Sequence, residues 1–497
     1  MRGLPHAIAT GDAAVTEIFV LHATRGPWPL GPYSQFYWNH PGPLMFYLLA
    51  PLYAVSGQHA QALNLGAAAL NLLAIAALLR SVTRGAEPVA TAAASAAVAV
   101  WVLRASDALS SFWNPILIAC PALLFVWLCA IVAGGRAGLI VPLVGVGSFL
   151  AQSHIGLVPA FGVLSTAALA IGRGRARRAD VTNGGRRWRR GLVAGGVVAA
   201  ALWALPIVEQ LSEEPGNLTI VARFFATTPR GSRTLAQSAT MWAAAQTQLL
   251  RPGFRQPVGV PLALDARPGL VAVGLGATAL LCVMAWRSRA RPGLSLPAGF
   301  HALIGLVTLA EIHRSPGLVG DYTIFWLAPV GVSGIALATL WAIAGLASRA
   351  PGLPVAPPVT RAVAWLPAGA FLVALAATIL DLRGHLGSVR GPQEAEAVAL
   401  FQQTRAGLRA RGIDSPMVHI ADDLWAEGAA TLLQMYKLRQ PFAVDPAWRF
   451  MYGRPLTGPG CHTHAARFVV EGSETRGDRI AQVGRVDVRV ERLGSCP

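Results

Sequence analysis

The sequence predicts an all-α polytopic membrane protein, a bundle of about ten spans, with a small extracytoplasmic α/β domain at its C-terminal end. Three observations carry this. Of the 497 residues 54% are hydrophobic and 13% charged, about half the charged share of an ordinary soluble chain. Apolar runs of roughly 20 residues, long enough to cross a bilayer as helices, alternate with short arginine-bearing links. From about Gly384 the composition turns mixed and polar.

The chain opens on a polar, aromatic-rich stretch, residues 11–47, carrying Asp12, Glu17, His22 and His40. Asp12 follows Thr10 and Gly11, where a carboxylate caps a helix through Val15–Ala23, serves as a base, or does both, since a helix start positions a carboxylate and keeps it ionised. Glu17 comes more than one turn later, so the two acids need not share a face. His40 in NHPGP reads either as a binding group or as a turn residue. The apolar run 43–56 is too short to span and reads as a helix along the interface.

Spans are then expected at 62–80, 88–103, 114–133, 137–151, 155–172, 191–209, 269–287, 298–313, 322–346 and 362–381. Three regions result: 1–61, a first extracytoplasmic loop with juxtamembrane helices; 62–383, the bundle with an extracytoplasmic loop at 210–268; and 384–497, the soluble domain. In that last region 394–411 has a helical apolar period, 416–421 reads as a strand before a helix start at Asp422 and Asp423, and 467–471 and 483–490 alternate as strands.

Arginine sets the expected orientation. The link 173–190 holds eight Arg against one Asp and is expected on the cytoplasmic side of a plasma (inner) membrane. Arg80, Arg84, Arg136, Arg287, Arg289, Arg291 and Arg349 fall on the same side when the spans are counted outward from it. Residues 11–61, 104–113, 152–154, 210–268, 314–321 and everything after 382 then face outward. An outward first loop calls for a way across the membrane: either a leading span precedes residue 1, which is the expectation, or the fold tolerates a translocated N-terminus.

Several classes are disfavoured. The net charge of +17 comes from arginines between apolar runs, which topology explains without nucleic acid. Lys437 is the one lysine, so no P-loop lysine exists, and there is no CxxC or HExxH motif. Cys120, Cys129 and Cys282 lie in apolar helices as small hydrophobes. Cys461 and Cys496 can form a disulfide if their region is extracytoplasmic.

Chemistry gathers at the outer ends. Asp107, Gln152, His154, Glu209, Asp321 and Tyr322, with His40, are candidate donor- and acceptor-binding groups, because ionisable groups near span ends are costly unless they pair or line a wet cavity. Arg104, Arg223 and Arg314 run against the positive-inside bias and are candidates for a lipid phosphate, whose oxygens a guanidinium matches bidentately.

GDAAVTE, then GPYSQFYWNHPGPLMFYLLAPLY, SSFWNP at 110–115, SFLAQSHIGLVP at 148–159 and WALPIVEQLSEEPGNL at 203–218 together resemble the GT-C membrane glycosyltransferases. The nearest group is the dolichyl-phosphate-mannose- and aminoarabinose-transferase-like (family 39-like) proteins, and the likeness runs over most of 11–381. The resemblance implies a leading helix, a catalytic Asp in the first outer loop, two juxtamembrane helices and a soluble outer domain. It places the catalytic Asp on Asp12 and an accompanying acid on Glu17, although a DE pair is replaced here by Asp12-Ala13. It implies a sugar donor on polyprenyl phosphate and an acceptor in the cell envelope. Transfer would invert the anomeric carbon with Asp12 as base, and arginines or a divalent ion would stabilise the leaving phosphate. A second reading, a non-enzymatic transporter or flippase of a lipid-linked glycan, would place charges near the midplane and show repeated halves.

Overall fold

The structure, a computed structural model, describes residues 9–179, 183–229, 231–254, 256–257, 259–347, 357–385, 392–457, 462–472 and 476–493. Contacts group Met1–Gly66 with Arg383–Pro497 in one compact unit and Ala67–Leu382 in a second.

The second unit is helical. Among the described residues eight helices are long and apolar enough to cross a membrane: Gln61–Gly85, Asn114–Ala133, Ile155–Arg178, Gly184–Ser212, Pro268–Arg287, Pro292–Arg314, Leu327–Leu346 and Val363–Gly384. The shorter apolar helices Pro88–Arg104 and Ala137–Ser153 occupy the other two expected positions. Asn114–Ala133 is buried throughout and forms the centre of the unit. Gly184–Ser212 instead exposes Val193, Val197 and Leu211, an apolar surface suited to lipid. Polar glue sits inside the bundle. Trp127 donates to Ser333 Oγ at 3.1 Å, and Ser333 lies 3.0 Å from His301 Nε2. His301 Nδ1 donates to the Pro297 carbonyl at 2.8 Å. The chain of bonds ties three helices, the kind of fastening that lipid favours over lone polar groups.

Several boundaries differ from the sequence reading, two of them for a plain physical reason. The arginine-rich link is largely helical, because Val158–Ala179 and Gly184–Ser212 run into it from both sides; arginine is a good helix former and prolongs a span into water. The span expected from 322 begins only at Leu327. Ile324, Phe325 and Trp326 are buried in a turn there, so their hydrophobicity reports burial rather than helix.

The first unit pairs an N-terminal helical segment with a sheet. Helix α1 is Gly11–Arg25 and helix α2 is Leu44–Val55. The strands are β1 (Met417–Ile420), β2 (Ala443–Val444), β3 (His464–Val470), β4 (Asp478–Val483) and β5 (Val486–Arg492). Their order is β2-β1-β3-β5-β4, with β1 parallel to β2 and β3, and β5 antiparallel to β3 and β4. The helices Pro392–Ala410 and Trp425–Lys437 belong to this α/β fold, the latter connecting β1 to β2. The two-residue β2 escapes a sequence reading because it is too short to alternate. Helix α1 packs along both α2 and Trp425–Lys437. Nine successive residues, Ala14–His22, are buried, which accounts for a helix with no polar stripe.

Candidate active site

Asp12 lies in the first turn of α1, not at its cap. Thr10 is the N-cap residue and makes no side-chain capping bond. Gly11 takes a φ of 53°, a conformation that costs a side-chain-bearing residue roughly 1–2 kcal/mol. Its missing Cβ faces the Trp425 ring. The chain therefore turns sharply against Trp425 and delivers Asp12 into a half-buried position.

The partner of Asp12 comes from the aromatic loop just ahead of the NHPGP turn. Residues 31–40 fold back on themselves, with Ser34 N donating to the Trp38 carbonyl at 2.8 Å and His40 N to the Pro32 carbonyl at 2.7 Å. Tyr37 at the tip has a φ of 65°. Asn39 clamps the fold, its Nδ2 donating to the Gly31 carbonyl at 3.2 Å and the Phe450 carbonyl at 2.9 Å. This geometry presents Tyr33, whose hydroxyl donates to Asp12 Oδ1. Trp425 and Phe450 flank the Tyr33 ring with centroids 6.3 and 6.1 Å away. Burial raises the Asp12 pKa above the ordinary carboxylate value, and the Tyr33 bond partly opposes the rise.

Glu17 faces elsewhere. It is fully buried, accepts from the Tyr53 hydroxyl at 2.8 Å and is ion-paired with Lys437. Five residues separate it from Asp12, about 7.5 Å along the axis. His22, one turn further, stacks on Trp28 at 4.5 Å. Its Nε2 donates to the Tyr452 carbonyl at 2.9 Å and its Nδ1 meets the Tyr436 hydroxyl at 2.9 Å. A carbonyl only accepts, so Nε2 carries the proton and Nδ1 takes the Tyr436 hydrogen. Burial pushes the His22 pKa down to about 4, and the ring is neutral at ordinary pH. His40 is buried in the folded-back loop, 5.3 Å from the Trp38 ring.

The remaining candidates lie in the helical unit. Arg104 donates to the carbonyls of Leu249 at 3.1 Å and Arg251 at 2.5 Å. Asp107 is exposed and accepts from Ser106 at 3.1 Å. Gln152 is buried and donates to the Leu202 carbonyl at 2.9 Å; His154 Nδ1 accepts from Gly156 N at 3.2 Å. Glu209 accepts from Asn217 N through both oxygens at 3.1 Å. Asp321 is fully buried and accepts from Gly259 N at 2.8 Å, while the Tyr322 ring lies 5.1 Å from Trp113. Arg223 and Arg314 are exposed. The bonds named here run mainly to main chain.

Among the described residues no three His, Cys, Asp or Glu side chains gather as a metal site. The proposed Cys461–Cys496 pair lies outside the described residues. Sequence reasoning does not find Tyr33, Tyr53, Trp425 or Lys437 as neighbours of the acids; the one signal for Lys437 is its being the chain's sole lysine.

The fold is similar to that of solved GT-C, aminoarabinose-transferase-like membrane proteins. No protein-family model and no curated protein matches the chain, but solved structures do. ArnT from Cupriavidus metallidurans, a GT-C glycosyltransferase crystallised with undecaprenyl phosphate, aligns with 98% of this chain and 95% of its own, at a TM-score of 0.53 and 14% identity. The apo form of ArnT aligns with 98% and 94%, at the same TM-score and 16% identity.

Proposed function

We propose that this protein is a membrane glycosyltransferase that moves a sugar from a polyprenyl-phosphate donor to an acceptor of the cell envelope. The observation that carries the reading is Asp12: a half-buried carboxylate at a helix start, made more basic by burial and held in one orientation by Tyr33. The likeness of fold to ArnT, a protein bound to undecaprenyl phosphate, supports the donor class.

In the proposed reaction Asp12 takes the proton of an acceptor hydroxyl as that oxygen attacks the anomeric carbon. The bond from that carbon to the phosphate oxygen breaks with inversion, and the phosphate leaves with the electron pair. A phosphate is a good leaving group, so the scheme needs a base more than an acid. Trp425 and Phe450, beside Tyr33, offer aromatic faces to a sugar ring. The arginine asymmetry supports an outward-facing site in a plasma membrane.

Membranes containing the protein, supplied with polyprenyl phosphate carrying a radiolabelled sugar, test the reading. Label on an envelope acceptor with release of free polyprenyl phosphate supports it. Label that crosses the membrane still attached to its lipid supports the transporter reading instead.

A further inference from the structure

The helical unit carries a second feature, far in character from an acid–tyrosine site. A lateral cleft of about 340 Å³ opens between the helices Gln61–Gly85 and Val363–Gly384. Ala76 and Leu79 form one wall, Pro367 and Phe371 the other, and Arg80 and Arg84 stand at one end. The residues 76, 80 and 84 recur every four positions and so form one stripe along their helix. The cleft is amphiphilic, with an apolar trough that ends in two guanidinium groups, and among the described residues no carboxylate lines it.

Helix-end electrostatics explain only part of this. Arg84 lies in the last turn of its helix, where a cation is favoured. Arg80 lies one turn earlier, beyond the reach of that effect and about 6 Å deeper along the axis. A guanidinium at that depth needs an anionic partner or a route to water. Arg136 adds a third cation, its Nη2 donating to the Arg84 carbonyl at 2.9 Å. The nearby acid Glu87 is engaged in an ion pair with Arg291.

We propose that this cleft binds one anionic phospholipid from the bilayer, its phosphate on Arg80 and Arg84 and an acyl chain along Leu79, Pro367 and Phe371. Charge complementarity selects the occupant: acyl chains match the walls and a phosphate matches the paired guanidinium groups. The site is independent of sugar transfer.

Native mass spectrometry of the full chain, purified in detergent and incubated with phosphatidylglycerol or phosphatidylcholine, tests the proposal. The expected result is one retained phosphatidylglycerol, favoured about tenfold or more over phosphatidylcholine. R80A/R84A should abolish that preference, and Phe371→Ala should weaken retention with no change of charge. R189A/R190A, an equal loss of charge elsewhere, should leave it intact. A melting curve for each variant confirms that it is folded. Equal retention of the two lipids, equal loss in R189A/R190A, or displacement by inorganic phosphate at millimolar concentration would overturn the proposal.

Discussion

Tyr33 sets how readily Asp12 accepts a proton. Its hydroxyl bond favours the carboxylate, while burial favours the neutral acid. Tyr33→Phe removes the first influence and leaves the second, so the Asp12 pKa should rise. Since the base must be ionised to act, the acidic limb of the kcat/KM profile should move to higher pH; an unmoved limb would separate Tyr33 from the chemistry. At the residue scale the sequence singles out Asp12 as a candidate because a carboxylate between a glycine and an apolar helix is conspicuous. Its partner was hidden, because Tyr33 meets Asp12 only through the folded-back loop and the Asn39 clamp.

At the scale of elements, α1 and the helix Trp425–Lys437 depend on one another. The buried pair of Glu17 and Lys437 joins them, and His22 meets Tyr436 beside it. Lys437→Met would leave the Glu17 carboxylate buried without its cation, a loss of about 3–5 kcal/mol. Adding Glu17→Gln should recover much of that loss; thermal melts of the single and double variants measure both. Gly453, at a φ of 79°, is a second fixed point, because a Cβ there would overlap the Trp28 ring. Gly453→Ala should therefore destabilise the unit by about 2–3 kcal/mol, from strain and overpacking, with a lower melting temperature as the readout. None of this pairing was legible locally: hydropathy shows which residues want burial, not that two helices some 400 positions apart bury one another.

At the scale of the whole molecule, the spans were legible because lipid demands long apolar helices and leaves that demand in the sequence. Misreadings arose where another force imitates lipid, as at Ile324–Trp326, or where a good helix former continues past the membrane, as in the arginine-rich link. The proposed orientation has a direct consequence for labelling. In a cysteine-free background, Ser106→Cys should react with a membrane-impermeant maleimide on intact cells. Thr83→Cys should react only after permeabilisation. The reverse pattern would invert the topology and place the proposed site in the cytoplasm.

The central claim is that Asp12 supplies the base. Its most direct test is the initial rate of labelled-sugar transfer by Asp12→Asn, which keeps the size and hydrogen-bonding capacity of the side chain but removes its basicity. The account predicts a fall of about 100-fold or more in a protein that melts like the unaltered chain. A rate within a few-fold of the unaltered protein would contradict it.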